Sequence, residues 1–570
     1  MSALLLAAAL LVPRAATGDR SLAAELQRFA RDGELIESFH RIETAAVRER
    51  RRAFLAEHEA RFAALDPRQL DRDGEVNRAL LLARLAEEQA RLGWRGQDAA
   101  AAAPLVPFLD AVAWLEGVDR SGAPFDAEAI AASLAAATRA CDAVRDTPPE
   151  ATAPWRRDPG ALDFARDATR AARRFLARWS ERNGAAEPLL AFWVTEPAGA
   201  LLAALDAHAK WLDEQHAALK DEPGVHPLAI GRERYAAELA FEQIALSPEE
   251  MLAFGEAQLA ALQAEMSAET AKWLAAPGFE WPHDLQDSAA RDWRLGLELA
   301  KRDTVPVGAQ RLFVQQVAEE AIAFCEAQQL VPIDPLAREC WRLELSDVAI
   351  QKTLAYGFYG ENFMGVGAPL PAMDHQRKQE ALRSNARPTT RTVVPHELIP
   401  GHHLQGFHAQ RRPERALWHS PFFVEGWAVH CEKAMDQRGF FRDPRERIGH
   451  LFWRLLRAAR IVVSTRFHLR EWTPAQMVDF MVANAGLERS AAQAEVDRYM
   501  TYSPLYQCAY LYGDHLIGQL QEECRRAWGA DYSDLRFHGE LLAQGSIPIA
   551  FARRALLGPA AASSSKASSR

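Results

Sequence analysis

The chain has 570 residues, 49% of them hydrophobic and 25% charged, with a formal net charge of −10; that is ample apolar surface for a large core and unlike a disordered chain. Acidic and basic residues are scattered, and no Lys/Arg tract interleaves with aromatics, so nucleic acid is excluded as an expected partner. The six cysteines form no CxxC pair, which argues against a cysteine-ligated metal site and against a dithiol redox motif.

In chain order, Leu4 to Val12 is an apolar run followed by Pro13-Arg14-Ala15-Ala16-Thr17. Residues 1–17 therefore read as a secretory signal, which places the protein outside the cytoplasm; the alternative is a frayed first helix in a cytoplasmic protein. The run is too short to span a bilayer, and no other stretch is expected to do so. Apolar residues at three- and four-residue spacing predict amphipathic helices at Ala24–Phe29, Val47–Ala64, Glu75–Leu92 and over 160–181, 198–220, 247–275, 287–302 and 307–329. Ser247-Pro248-Glu249-Glu250 marks a helix start, with an N-cap serine, a first-position proline and two acids in the first turn. Cys325 and Cys340 bracket a turn at Pro332-Ile333-Asp334-Pro335, and a bridge between them is one option in an exported protein. Strand signals are few, the clearest at Leu343–Val348 and at Arg391-Thr392-Val393-Val394. Tyr356 to Gly367 is Gly-rich and aromatic but lacks the lysine and hydroxyl of a phosphate loop, so it reads as a loop over a cleft.

The chemistry is concentrated in His396-Glu397-Leu398-Ile399-Pro400-Gly401-His402-His403, with Glu425-Gly426-Trp427-Ala428 further along. Two imidazoles and a carboxylate are the ligand set of a mononuclear hydrolytic zinc site, and a glutamate beside the first histidine supplies the base. The spacing is irregular, because Pro400 stands where a HExxH motif has its second histidine. A regular helix would set His402 about 120° around the axis and roughly 9 Å along it from His396, too far to share an ion. Pro400-Gly401 can break the helix and swing His402 back, leaving His403 behind the site or as the alternative ligand. Cys431 and Cys508 are expected to pack rather than react. Of the remaining histidines, His408, His419, His515 and His538 read as surface or core residues, while His430, five residues past Glu425, is a candidate for the pocket wall.

These segments, with Gln507, Tyr510 and Gly513 and the ending Phe537-His538-Gly539-Glu540-Leu541-Leu542 and Gly545-Ser546-Ile547-Pro548, resemble the bacterial family called domain of unknown function 885. That family is grouped by resemblance with gluzincin-type zinc metallopeptidases. The resemblance implies a single zinc held by His396, His402 and Glu425, with Glu397 as general base, Tyr510 as donor to the oxyanion, and Gln507 in the pocket. Two departures stand out: His430 where the family more often has tyrosine, and Tyr506 where it tends to have glycine.

The expected fold is mainly α, a large multi-helical, metallopeptidase-like architecture with a cleft and a small β element beside the active-site helix. Residues 20–345 form a helical N-terminal region building one cleft wall, residues 346–556 hold the catalytic chemistry, and residues 557–570 are a disordered tail. The expected activity is zinc-dependent hydrolysis of a peptide. Hydrolysis of another amide or ester, and a catalytically silent peptide-binding or envelope protein, are the alternatives, although a binding protein has no need of Glu397.

Overall fold

Helical periodicity in the sequence becomes helix almost wherever it occurs. In the computed structural model, which describes residues 20–558 apart from 148–152, 157, 159, 220–223, 225, 286–290 and 354–355, helices span Ala23–Phe39, Ala45–Ala63, Arg72–Ala102, Ala161–Ala186, Pro188–Leu219, Pro248–Leu274, Trp293–Lys301 and Gln310–Ala327. Each overlaps one of the expected segments. The Ser247 start is a full capping box: its side chain accepts from Glu250 N while the Glu250 carboxylate accepts from Ser247 N. The expected signal segment and most of the expected tail lie outside the described residues.

Three short strands form one sheet in the order β1-β3-β2, with β1 at Arg342–Leu345, β2 at Phe358–Gly360 and β3 at Phe363–Val366. β1 runs parallel to β3, and β2 pairs antiparallel to it, Phe358 opposite Gly365. The Gly-rich segment is thus a hairpin rather than a loop. Val348, expected to end a strand, begins the short helix Val348–Thr353.

The strand expected at Arg391–Val394 is instead part of the helix Arg387–Glu397. Its run of β-branched residues suggested a strand, but Thr389, Thr392, Val393 and Val394 are all buried, so the helix is enclosed on every side. A fully buried helix shows no polar face, and a short apolar run of that kind cannot be told from a strand by periodicity. The Cys325–Cys340 bridge is absent, since both thiols are free. Cys325 is buried inside its helix, whereas Cys340 is exposed at the end of Pro335–Glu339, so the two side chains occupy different environments.

Among the described residues the buried apolar side chains form two clusters. The smaller draws on Ile42 and on residues between Ala102 and Leu219. The larger joins the first helices, residues from Ala229 onward and the whole second half of the chain. Among the described residues one single helix, Pro188–Leu219, is long and apolar enough by length and composition alone to cross a membrane. Its Leu190, Val194, Leu201, Leu205 and Leu212 are buried in the smaller cluster, where it packs on Ala127–Asp146 and Ala161–Ala186.

The helices that matter most for the site are Pro421–Gln437 and Tyr506–Trp528, which pack along their lengths. They touch through glycine: a Cβ on Gly426 would meet the Gly513 backbone at 2.6 Å, and one on Gly513 would meet Phe422 O at 2.3 Å. Gly426→Ala should therefore destabilise the protein by ~1–3 kcal/mol through overpacking. Gly518→Ala on the second helix, where the nearest atom to a new Cβ is Lys433 Nζ at 3.9 Å, is free of that clash. It should stabilise by ~0.5–1 kcal/mol through helix propensity, and the two urea midpoints should move in opposite directions.

Candidate metal centre

The helix Arg387–Glu397 ends at Glu397, the chain turns through a cis Ile399–Pro400 bond, and a second helix begins at His402. The turn is tight. Gly401 N donates to Pro395 O at 2.9 Å, and a Cβ on Gly401 would lie 1.8 Å from His396 O, so only glycine fits. The break brings the His396 and His402 rings to 4.6 Å between centroids. Trp427 Nε1 fixes the turn by donating to Pro400 O at 2.9 Å.

Glu425 completes a triad whose ligand atoms all lie within 4.8 Å of one another. Its Oε2 sits 3.5 Å from His396 Nε2 and 3.3 Å from His402 Nε2. Neither contact has hydrogen-bond geometry, and Oε2 is buried without a hydrogen-bond partner. A tetrahedron with zinc–ligand bonds of ~2.0–2.2 Å has edges of about 3.3–3.6 Å, so the two spacings fit one ion held by three donors. Burial pushes the Glu425 carboxyl up, but the imidazoles of His402 and His396 hold it well below the usual carboxylate range. Tyr506 OH donates to the other oxygen, Oε1.

His396 is oriented from behind. Its Nδ1 lies 2.6 Å from Glu432 Oε1, and Arg457 grips both oxygens of Glu432 at 2.7 and 2.8 Å. A carboxylate on Nδ1 fixes the tautomer that leaves Nε2 free to bind metal. Glu432 is fully buried; burial would raise its carboxyl, yet Arg457 and His396 hold it down to about 2.

Glu397 lines the same cavity, next to the triad and outside it. Burial pushes its carboxyl up to about 7, with His402 opposing the rise and Glu425 adding to it, and the Tyr359 backbone hydrogen-bonds to it. Tyr510 lines the cavity too, its ring stacked on His396 at 6.3 Å. Burial, then Glu425, raises its hydroxyl well above its ordinary range, so it keeps an O–H to donate. The cavity measures about 390 Å³, and all its lining residues fall between Tyr356 and Tyr510. An adjoining cavity that shares Tyr356, Gly357, Val393 and Trp453 is lined in part by Val305, Gln310, Phe313 and Val314.

Three expected site residues lie outside the triad, His403 on the side where it was expected as a residue behind the site rather than as a ligand. His403 is turned away from the triad: Nε2 is 2.7 Å from Ala337 O and Nδ1 is 3.2 Å from Tyr359 OH. His430 contacts Asp514 at 3.3 Å and lines a different groove with Lys433 and Arg438. Five residues from Glu425 is about 140° around a helix, which puts it on another face. Gln507 is buried beside the cavity without lining it, and neither side-chain polar atom has a hydrogen-bond partner. Sequence reasoning missed Glu432, although it lies seven residues after Glu425 and so on the same helix face. It also set Tyr506 aside as a departure, when its four-residue spacing from Tyr510 puts both on one side.

Fold and site together define a mainly α protein with a candidate mononuclear metal centre at a break between two helices. The chain belongs to the family described as "Bacterial protein of unknown function (DUF885)", which matches residues 39–556. It resembles the solved structure of a "putative lipoprotein of unknown function" from Shewanella oneidensis, at 19% identity and a TM-score of 0.68, covering 94% of this chain and 99% of that one. It also resembles a "putative lipoprotein" from Colwellia psychrerythraea, at 16% identity and a TM-score of 0.58, covering 94% and 98%. No curated protein matches the chain.

If the triad holds an ion, His402→Ala should abolish stoichiometric zinc uptake in equilibrium dialysis, while His403→Ala should leave it intact. Glu432→Gln should weaken affinity by roughly 10- to 100-fold, the usual effect of losing a partner behind a ligating histidine.

Proposed function

We propose that this protein is an exported zinc-dependent hydrolase of the gluzincin-like type that cleaves peptides. The observation that carries the reading is the Glu425 oxygen, buried and without a hydrogen bond, at tetrahedral-edge spacing from two imidazole nitrogens. His396, His402 and Glu425 would hold the ion. When bound, zinc supplies Lewis-acid polarisation of a carbonyl and makes a water beside it acidic.

The chain's own residues do the rest. Glu397 takes a proton from the attacking water as its oxygen bonds to the carbonyl carbon, then delivers that proton to the departing amine nitrogen as the C–N bond breaks. Tyr510 O–H donates to the carbonyl oxygen as that atom gains negative charge. Tyr506, bonded to Glu425, and Glu432, bonded to His396, keep the ligands in place. A signal at residues 1–17 accounts for export, and the lipoprotein descriptions of both similar structures support it.

The test is turnover of a peptide library by zinc-loaded protein, read by mass spectrometry. Wild type should cleave peptides, and Glu397→Gln should lose about 100- to 10,000-fold in kcat while still binding zinc, as expected for loss of a general base. Equal turnover by wild type and Glu397→Gln, or none by either, would overturn the reading.

A further inference from the structure

Beyond Tyr510 the same cavity is walled by a second charged cluster that the hydrolytic chemistry leaves unused. Arg460, on Pro444–His468, and Arg498, on Arg489–Thr501, both line the cavity and share a single carboxylate, Glu495. Arg460 donates to Glu495 Oε2 from Nε at 3.0 Å and from Nη2 at 2.8 Å, while Arg498 Nη2 donates to Oε1. Tyr499 OH also donates to Glu495. The arginine and glutamate side chains are 5% exposed for Arg460 and Glu495 and 15% for Arg498.

One carboxylate between two guanidiniums leaves a unit of positive charge in a sheltered wall. The third cavity arginine, Arg457, is already matched by Glu432. The other lining carboxylates, Glu397 and Glu425, belong to the triad end. An uncompensated buried charge is costly, so a site that retains one favours an anion that completes the pairing. The donors for such an anion are present: the hydrogen bonds of Arg460 leave from Nε and Nη2 and that of Arg498 from Nη2, so Nη1 of each has no protein partner among the described residues.

Tyr510 gives the scale. Its ring centre is 6.3 Å from the His396 ring and 4.9 Å from Arg460 Cζ. The two groups therefore lie no more than about 11 Å apart, a reach that at most about three extended residues cover at ~3.3–3.6 Å each. We propose that Arg460 and Arg498 bind the free C-terminal carboxylate of a peptide substrate, so that the bond cleaved lies within about three residues of the C-terminus. This rests on the hydrolase reading and narrows it to an exopeptidase of unblocked peptides.

The experiment uses a randomised N-acetylated pentapeptide library in three forms: free acid, C-terminal amide, and amide with glutamate as the last residue. Each is offered to zinc-loaded wild type for cleavage and to Glu397→Gln for retention on the immobilised protein. Free-acid peptides should be retained and cleaved roughly 10-fold or more in preference to amides, the worth of a charge-assisted pair. Cleavage should release only short C-terminal fragments, of at most about three residues. Arg498→Ala, which leaves the Arg460–Glu495 pair in place, and Arg460→Lys, which keeps charge but loses the fork, should each shrink that ratio. A ratio is independent of how much of a variant folds. Equal handling of free acid and amide, or a preference unchanged in both arginine variants, overturns the proposal. Equal handling of the free acid and the glutamate amide overturns the assignment to a terminal carboxylate. Selective retention of free acids without any cleavage would sink the hydrolase reading and leave the carboxylate site standing. Cleavage blind to the C-terminus would do the reverse.

Discussion

Where Gly426 meets Gly513, two helix backbones come closer than any side chain allows, and the candidate site is arranged around that contact. The helix carrying Gly426 presents Glu425 to both histidines, Glu432 to the back of His396, and Trp427 to the turn at Pro400. The helix carrying Gly513 brings Tyr506 onto Glu425 and Tyr510 onto the His396 ring. A side chain at either glycine would push these groups apart together, because interiors this dense cannot absorb the added volume locally.

The second constraint is electrostatic. Glu432 and Arg457 are fully buried and pair through both carboxylate oxygens, which is the geometry that repays desolvation. Their pairing spends Arg457 on orienting His396, so its charge is not free for substrate. Glu495 is placed differently: it is divided between Arg460 and Arg498 and satisfies neither alone. The cavity therefore has two ends of opposite character. One gathers donors for a cation, and the other keeps guanidinium N–H groups in reserve for an anion.

Much of this was legible in the sequence. Helices with one polar face announced themselves by periodicity, and Pro400-Gly401 marked the break that lets His402 join His396. The helix Arg387–Glu397 was misread in part because, buried all round, it carries no such pattern. Glu432 was readable from its seven-residue spacing to Glu425, since that keeps a helical residue on the same face. Arg457 was not, because it meets His396 across 61 residues of chain and no local spacing encodes that contact. His430 was drawn in by its proximity to Glu425 in sequence, which the turn of a helix converts into a different face, and Gln507 by the family resemblance alone.

The account stands or falls on a metal at the triad. X-ray absorption at the zinc edge, with elemental analysis of the same purified full-length protein, tests this directly. One zinc per chain, with only nitrogen and oxygen neighbours at ~2.0–2.2 Å, is the predicted result. No stoichiometric zinc after the ion is supplied, or sulfur neighbours at ~2.3 Å from the chain's cysteines, would contradict it.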